Sequence, residues 1–179
     1  MENDFKQLIE SLKKAGRRID GHYFKLDVAG SEESIYRERV YCYELYHQLR
    51  CVLGDNFPYK LDGEVDKVSH PHLIIRQNLG AKKADFIVHV PGTMNHNLVV
   101  IEVKPVTVKS RMNELRKDLK TLKGFLNEAK YYRALMLIYG DGKSDLPNEI
   151  PDEVKRFSKE RILLAWHQGP GKEPVIAKI

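Results

Sequence analysis

Two neighbouring apolar segments, separated by a run of turn formers, constrain the fold of this chain more than any other feature. The first covers residues 83–90 and the second covers residues 97–104. The stretch between them contains Pro, Gly, Asn and His, so the pair predicts a hairpin of two buried strands. Charged residues stand at the outer ends of both strands: Asp85 in the first, and Glu102 and Lys104 in the second.

These charged residues are expected to lie close together. Side chains alternate along a strand, so Glu102 and Lys104 share one face while Val103 takes the other. Two carboxylates and a lysine at the rim of a buried sheet are costly to place there without a purpose. Such a group can hold a divalent cation and a scissile phosphate. The alternative is a surface ion pair between Glu102 and Lys104, with Asp85 as an ordinary strand-entry residue.

Length and composition favour a single globular domain with an anionic partner. The chain has 179 residues, enough for one well-buried domain and short for two, so a single domain over 1–179 is expected. A net charge of +5 favours an anionic partner. Its two cysteines have neither zinc-site spacing nor a disulfide framework. Since no apolar run is long enough to span a bilayer, we expect a soluble, cytoplasmic protein without a membrane partner.

Hydrophobic periodicity predicts the order helix, three strands, helix, strand for the core at residues 31–140. The first helix has N-cap candidates Ser31 and Ser34 and runs to about Leu53. The remaining core elements are a strand at 59–67, the two hairpin strands, a helix at 108–130 and a buried strand at 134–139.

Additions are expected at both ends of this core. Residues 1–30 form an N-terminal helix and a connector, and residues 141–179 form a C-terminal extension. The extension begins with a short helix after Pro151 and continues with a strand at 161–166. The Gly169-Pro170-Gly171 turn then favours a hairpin that closes one edge of the sheet.

A strand pair carrying Asp85 and Glu102-Val103-Lys104, in this order of elements, resembles the PD-(D/E)xK nuclease superfamily. Restriction endonucleases, Holliday-junction resolvases and many repair exonucleases belong to it. The resemblance covers residues 31–140, and Ala84 stands where the motif has proline, its most often replaced letter. It implies an α/β restriction-endonuclease-like core, with a central mixed sheet flanked by helices. The implied activity is Mg²⁺-dependent hydrolysis of phosphodiester bonds in nucleic acid, with DNA favoured.

The resemblance also implies roles for individual residues. Asp85 and Glu102 would bind Mg²⁺, or Mn²⁺ as a substitute, with the Val103 carbonyl as a further ligand. Mg²⁺ is a hard cation that prefers oxygen ligands of these kinds. Lys104 would orient or activate the attacking water and offset charge developing on the phosphate. The alternative in another class is a catalytically silent nuclease fold that binds nucleic acid or a protein partner.

Two more glutamates are candidates for the same site. Glu38 falls in the middle of the apolar stripe of the first helix, so its carboxylate needs either a metal or a basic partner such as Lys104. Glu64 lies on an acidic strand face and is either an extra ligand or an exposed residue. Glu44 points away from Glu38 and is a reserve candidate because helix phases inferred from sequence can slip.

Basic residues are distributed around the predicted site and could bind several phosphates. Rows of charge on helices are also typical of solvated faces, and nothing indicates base-edge readout. Many members of the superfamily dimerise, so a homodimer is compatible with the resemblance, although no interface signature is visible. The nucleic-acid-binding candidates are Lys82, Lys83, Lys109, Arg116 and Lys120.

Overall fold

The computed structural model describes residues 1–65, 79, 82–106, 112–143, 145–157 and 161–177. Within these residues the chain is an α/β structure with four α-helices and one six-stranded mixed sheet. None of the helices in this part of the chain is long and apolar enough to cross a membrane. The helices are α1 (Glu2–Arg17), α2 (Glu38–Leu53), α3 (Met112–Asn127) and α4 (Glu149–Phe157). The strands are β1 (Lys60–Gly63), β2 (Phe86–His89), β3 (Asn97–Pro105), β4 (Arg133–Tyr139), β5 (Ile162–His167) and β6 (Val175–Ala177).

The strands lie in the sheet in their sequence order, from β1 to β6. The β1–β2 and β2–β3 pairs are antiparallel, the β3–β4 and β4–β5 pairs are parallel, and β6 pairs antiparallel with β5. Parallel neighbours need a crossover connection, and α3 and α4 occupy the two crossovers. The carboxyl ends of β3, β4 and β5 therefore lie along one edge of the sheet.

The predicted hairpin is confirmed by the pairing of β2 with β3, which aligns Phe86 with Ile101 and Val88 with Val99. Both strands are almost entirely buried, as their continuous apolar sequences require. The predicted strand before the hairpin is found at β1, the long helix at α3 and the buried strand at β4.

Helices cover both faces of the sheet, so β3 contributes alternate side chains to two cores. Val99, Ile101 and Val103 pack on the side of α1 and α2. Val100 packs on the side of α3 and α4, together with Leu119 of α3. Because both faces of β3 are buried, the segment at 97–104 is apolar on both faces along most of its length. The charged residues Glu102 and Lys104 occur only near its carboxyl end.

The start of α2 differs from the prediction. Neither Ser31 nor Ser34 caps the helix, which begins at Glu38 with no side-chain hydrogen bond to its N-terminus. The Ser34 hydroxyl donates to Asp27 at 2.9 Å, and Ile35 forms a backbone bridge with a residue of the preceding connector. These local bonds keep the segment in an extended conformation, so the helix begins only at Glu38. Glu38 consequently occupies the first turn of α2, where the helix dipole favours a negative charge.

The C-terminal extension completes the sheet. The predicted hairpin around 169–171 is present, and β6 pairs with β5 through Trp166 and Val175. The predicted helix is α4, which begins at Glu149 and includes Pro151 in its first turn. Proline is tolerated there because the first-turn N–H groups have no partner within the helix.

Candidate functional site

The structure brings the predicted catalytic residues into one cleft of about 690 Å³. The cleft lies at the carboxyl end of β3, where the first turn of α2 and the body of α3 approach the sheet. Its lining includes Glu38 from α2, Glu102 and Lys104 from β3, and Asp85 from the entry to β2. Asp118 of α3 also lines it.

Asp85 and Glu102 are cross-strand neighbours. The β2–β3 register pairs Phe86 with Ile101, and one further step places Asp85 opposite Glu102. Directly opposed side chains point to the same face of a sheet, with Cβ atoms about 5 Å apart. The Glu102 side chain is buried, and a carboxylate oxygen of Asp85 accepts a 2.7 Å hydrogen bond from the Val103 backbone N–H.

Burial and mutual repulsion control the charge of this pair. Burial raises the pKa of Glu102 well above its ordinary value, and the negative charges of Asp85 and Asp118 raise it further. Burial also raises the pKa of Asp85, but the Val103 N–H bond opposes that effect. Glu102 is therefore the member of the pair that holds a proton. A divalent cation between the two carboxylates would replace that proton and relieve the repulsion.

Lys104, near the end of β3, contacts residues of both α2 and α3. Its ammonium nitrogen donates to both carboxylate oxygens of Glu38, at 3.0 and 2.9 Å, and lies 3.5 Å from Oδ2 of Asp118. Burial alone would lower the pKa of Lys104, but the carboxylates of Asp118 and Glu38 outweigh it and raise the pKa above its ordinary value. Lys104 is consequently a fixed positive charge inside the cleft.

Asp118 is a site residue that the sequence reasoning missed. Its Oδ2 atom is buried and makes no hydrogen bond within the part of the chain that is described, and it forms an ion pair with the Lys104 ammonium at 3.5 Å. Burial raises the pKa of Asp118, and the charge of Lys104 lowers it in part. A signal existed: Asp118 falls between the directions of Leu122 and Phe125 on the apolar face of α3, as Glu38 does on α2.

The donor set suits Mg²⁺ better than a metal that needs a full cage of side chains. Among the described residues, no group of three or more His, Cys, Asp or Glu side chains is placed to hold a metal. Mg²⁺ needs only one or two carboxylates, because it keeps several waters. Asp85 and Glu102 are two carboxylates that could supply these ligands. The N–H and C=O of a strand residue point to the same neighbour, so the Val103 carbonyl faces the side on which its N–H meets Asp85.

Glu64 and Lys83 lie on the rim of the same cleft. The Glu64 carboxylate is half-exposed and forms a 3.4 Å ion pair with Arg39 of α2. Its backbone N–H bonds to the Asp85 carbonyl, so β1 and the entry to β2 are joined beside the site. Glu64 is thus near the carboxylate pair but paired with another residue.

The other basic candidates are placed differently. Lys82 and Lys120 are exposed, and Lys109 lies outside the described residues. Arg116 makes a two-point ion pair with Glu153, at 2.8 and 3.2 Å, which links α3 to α4. The guanidinium that was predicted to bind phosphate is therefore engaged in a helix–helix contact.

Comparison of the chain with protein-family models, with curated proteins and with solved structures gave no match. The chemistry of the cleft is therefore the basis on which a function can be assigned.

Proposed function

We propose that this protein is a Mg²⁺-dependent nuclease that hydrolyses phosphodiester bonds, with DNA as its substrate. The observation that carries the proposal is the buried Glu102 carboxyl beside the half-buried Asp85, with the Lys104 ammonium in the same cleft. An apolar pair at this point would avoid the desolvation cost of two carboxylates. Clefts that combine burial, like charges and a fixed cation are typical of catalytic sites.

The architecture supports the same proposal. Among the described residues, the elements from α2 to β4 follow the order helix, three strands, helix, strand, and the acids and lysine lie where β2 and β3 meet at the sheet rim. We therefore propose that the core has the restriction-endonuclease-like fold that the sequence resembles. The N-terminal helix and the β5–β6 hairpin are additions to that core.

Each residue has a role in this proposal. Mg²⁺ held by Asp85, Glu102 and the Val103 carbonyl would polarise the phosphoryl group and lower the pKa of a bound water. Lys104 is protonated, so it acts as a hydrogen-bond donor that orients the attacking water and offsets negative charge on the phosphate. Glu38 and Asp118 hold its ammonium in position.

A second candidate function is a silent nuclease fold that binds nucleic acid or a protein without turnover. The 2.9 Å bond between Lys104 and Glu38 favours it, since an ion pair can complete the cleft without a metal. The lack of a three-side-chain metal cluster in the described ranges favours it too. Metal binding separates the two candidates, because the silent fold has no reason to bind Mg²⁺ through Asp85.

The first experiment measures Mg²⁺ and Mn²⁺ binding by calorimetry and by thermal shift. Wild type should bind saturably, and Asp85→Asn with Glu102→Gln should abolish binding while keeping the shapes of both side chains. Glu32→Gln, an exposed loop acid, is the matched control. Cleavage of labelled DNA should then fall by at least about 100-fold in Lys104→Ala. Wild-type cleavage rates in Asp85→Asn and Lys104→Ala would refute the proposed site.

A further inference from the structure

The outer side of α2 carries a row of two tyrosines with an arginine at each end. Arg39, Tyr43, Tyr46 and Arg50 are spaced by four, three and four residues, so they follow one line along the helix. The row is about 16 Å long, given the rise of a helix. Tyr43 is 65% exposed, the highest exposure among the large hydrophobic side chains of the described residues.

This row leads directly into the candidate site. Arg39, Tyr43 and Tyr46 line the same cleft as the carboxylate pair. The Tyr46 ring lies nearly parallel to that of Phe86, with centroids 6.3 Å apart and planes inclined by 22°. Phe86 is itself buried, but it follows Asp85 in the chain, so Tyr46 packs against the neighbour of a proposed metal ligand.

The cations of the row are held loosely or are packed on the aromatics. Arg39 pairs with Glu64 at 3.4 Å, and both side chains are more than half exposed. Such a pair contributes at most about 1 kcal/mol and exchanges readily for a phosphate contact. The Arg50 guanidinium lies over the Tyr46 ring, 5.9 Å from its centroid, and donates to the Tyr46 hydroxyl at 3.3 Å.

We propose that this row is a track for an unpaired nucleic-acid strand, which places a single-stranded segment next to the carboxylate pair. The exposed Tyr43 ring can stack on a base, and the arginines that flank the two tyrosines can contact the backbone phosphates. A duplex hides the faces of its bases, so it cannot use Tyr43 in this way. The inference rests on the proposed nuclease function, because it extends that site by naming the strandedness of the substrate.

Binding can be measured without cleavage. The test uses fluorescence anisotropy of a fluorescein-labelled oligothymidylate, with EDTA present so that no hydrolysis occurs. Tyr43→Ala should weaken binding by at least about fivefold, since one base–aromatic stack is worth at least about 1 kcal/mol. Tyr43→Phe should bind like wild type, because the ring is kept. Both variants should fold normally because the side chain is exposed.

Salt dependence separates the two kinds of contact. Arg39→Ala and Arg50→Ala should each reduce the slope of log affinity against log salt by about 0.7, the value for one single-strand phosphate contact. Tyr43→Ala should leave the slope unchanged. Arg18→Ala, an exposed arginine at the end of α1, is the matched control and should change neither affinity nor slope.

Three results would overturn the track. The first is unchanged oligothymidylate binding in Tyr43→Ala. The second is a blunt duplex that binds as tightly as the single strand with the same dependence on Tyr43. The third is a dimer of wild type that Tyr43→Ala dissociates in sedimentation, with strand binding unaffected, because the row would then be a subunit interface.

The track and the nuclease proposal can fail separately. Tyr43-dependent strand binding without any metal-dependent cleavage would support the track and refute the nuclease. Cleavage that depends on Asp85 but not on Tyr43, with equal binding of both proteins, would support the nuclease and refute the track.

Discussion

Replacing Glu102 by Gln should make the metal-free protein more stable. In wild type, burial and the neighbouring carboxylates raise the pKa of Glu102 to about 10, so Glu102 is protonated in the folded protein at pH 7. In the unfolded chain it is ionised, since its ordinary pKa is 4.5. Folding at pH 7 therefore requires that Glu102 take up a proton, although the pH is about 2.5 units above the pKa of this group in the unfolded chain.

The cost of that uptake is about 3 kcal/mol, at 1.36 kcal/mol for each pKa unit. The cost is the same for any folded-state pKa well above 7. Glu102 is then fully protonated in the folded protein, and the cost depends only on the difference between pH 7 and the unfolded-state pKa of 4.5. Gln is neutral in both states and its amide can donate to Asp85, so Glu102→Gln avoids the cost. For a chain of this size, about 3 kcal/mol corresponds to roughly 6–12 °C in Tm.

The contribution of Glu102 to the free energy of unfolding decreases as the pH rises. A carboxyl group whose pKa is raised on folding stabilises the protein most below its unfolded pKa, and that stability is lost as the pH rises. Urea unfolding in EDTA should therefore show equal stabilities for wild type and Glu102→Gln near pH 4.5. The variant should gain an increasing advantage up to pH 7. Glu32→Gln, an exposed control, should show no advantage at either pH.

A Glu102→Gln protein that is equally stable or less stable than wild type at pH 7, in EDTA, would refute the reasoning. Mg²⁺ provides a second check. Under the proposed function it should raise the Tm of wild type and leave that of the variant unchanged, because Gln cannot supply the second carboxylate.

Three further predictions concern other parts of the structure. Asp118→Asn should lower kcat by about tenfold with little change in KM, because Lys104 loses a charge-assisted contact; single-turnover cleavage measures this. Burial lowers the pKa of His167 to about 4, so the folded protein should lose up to about 3 kcal/mol as the pH falls from 6.5 to 4. His167→Gln should flatten that slope in urea unfolding. Gly16→Ala should destabilise by about 1–3 kcal/mol in the same assay despite its better helix propensity, since the new Cβ would lie 2.4 Å from Pro174.

Local patterns were sufficient to predict the carboxylate pair. Strand alternation predicts Glu102 and Lys104 on one face, and the hairpin turn predicts Asp85 beside them. The helical phase of Glu38 showed that it points inward. Its partner remained open between a metal and a base, and the structure gives it Lys104.

Other features could not be predicted because they depend on how elements pack. Asp118 points inward by its helical phase, but only the β3–α3–β4 crossover places it beside Lys104. Arg116 is one of several charged residues along α3. Their spacing in the sequence does not reveal that Glu153 of α4 is the partner of Arg116. Tyr43 looks like an ordinary surface tyrosine until its cleft is known.

The sequence by itself determined the elements of this protein and the chemical types at the rim of its sheet, because both follow from periodicities within single strands and helices. Only the tertiary structure decided which charges meet. The cluster of Glu38, Asp85, Glu102, Lys104 and Asp118 draws on two helices and two strand ends that are far apart in the chain. Charge interactions in a cleft depend on distance and burial, and both quantities are set by packing rather than by sequence spacing.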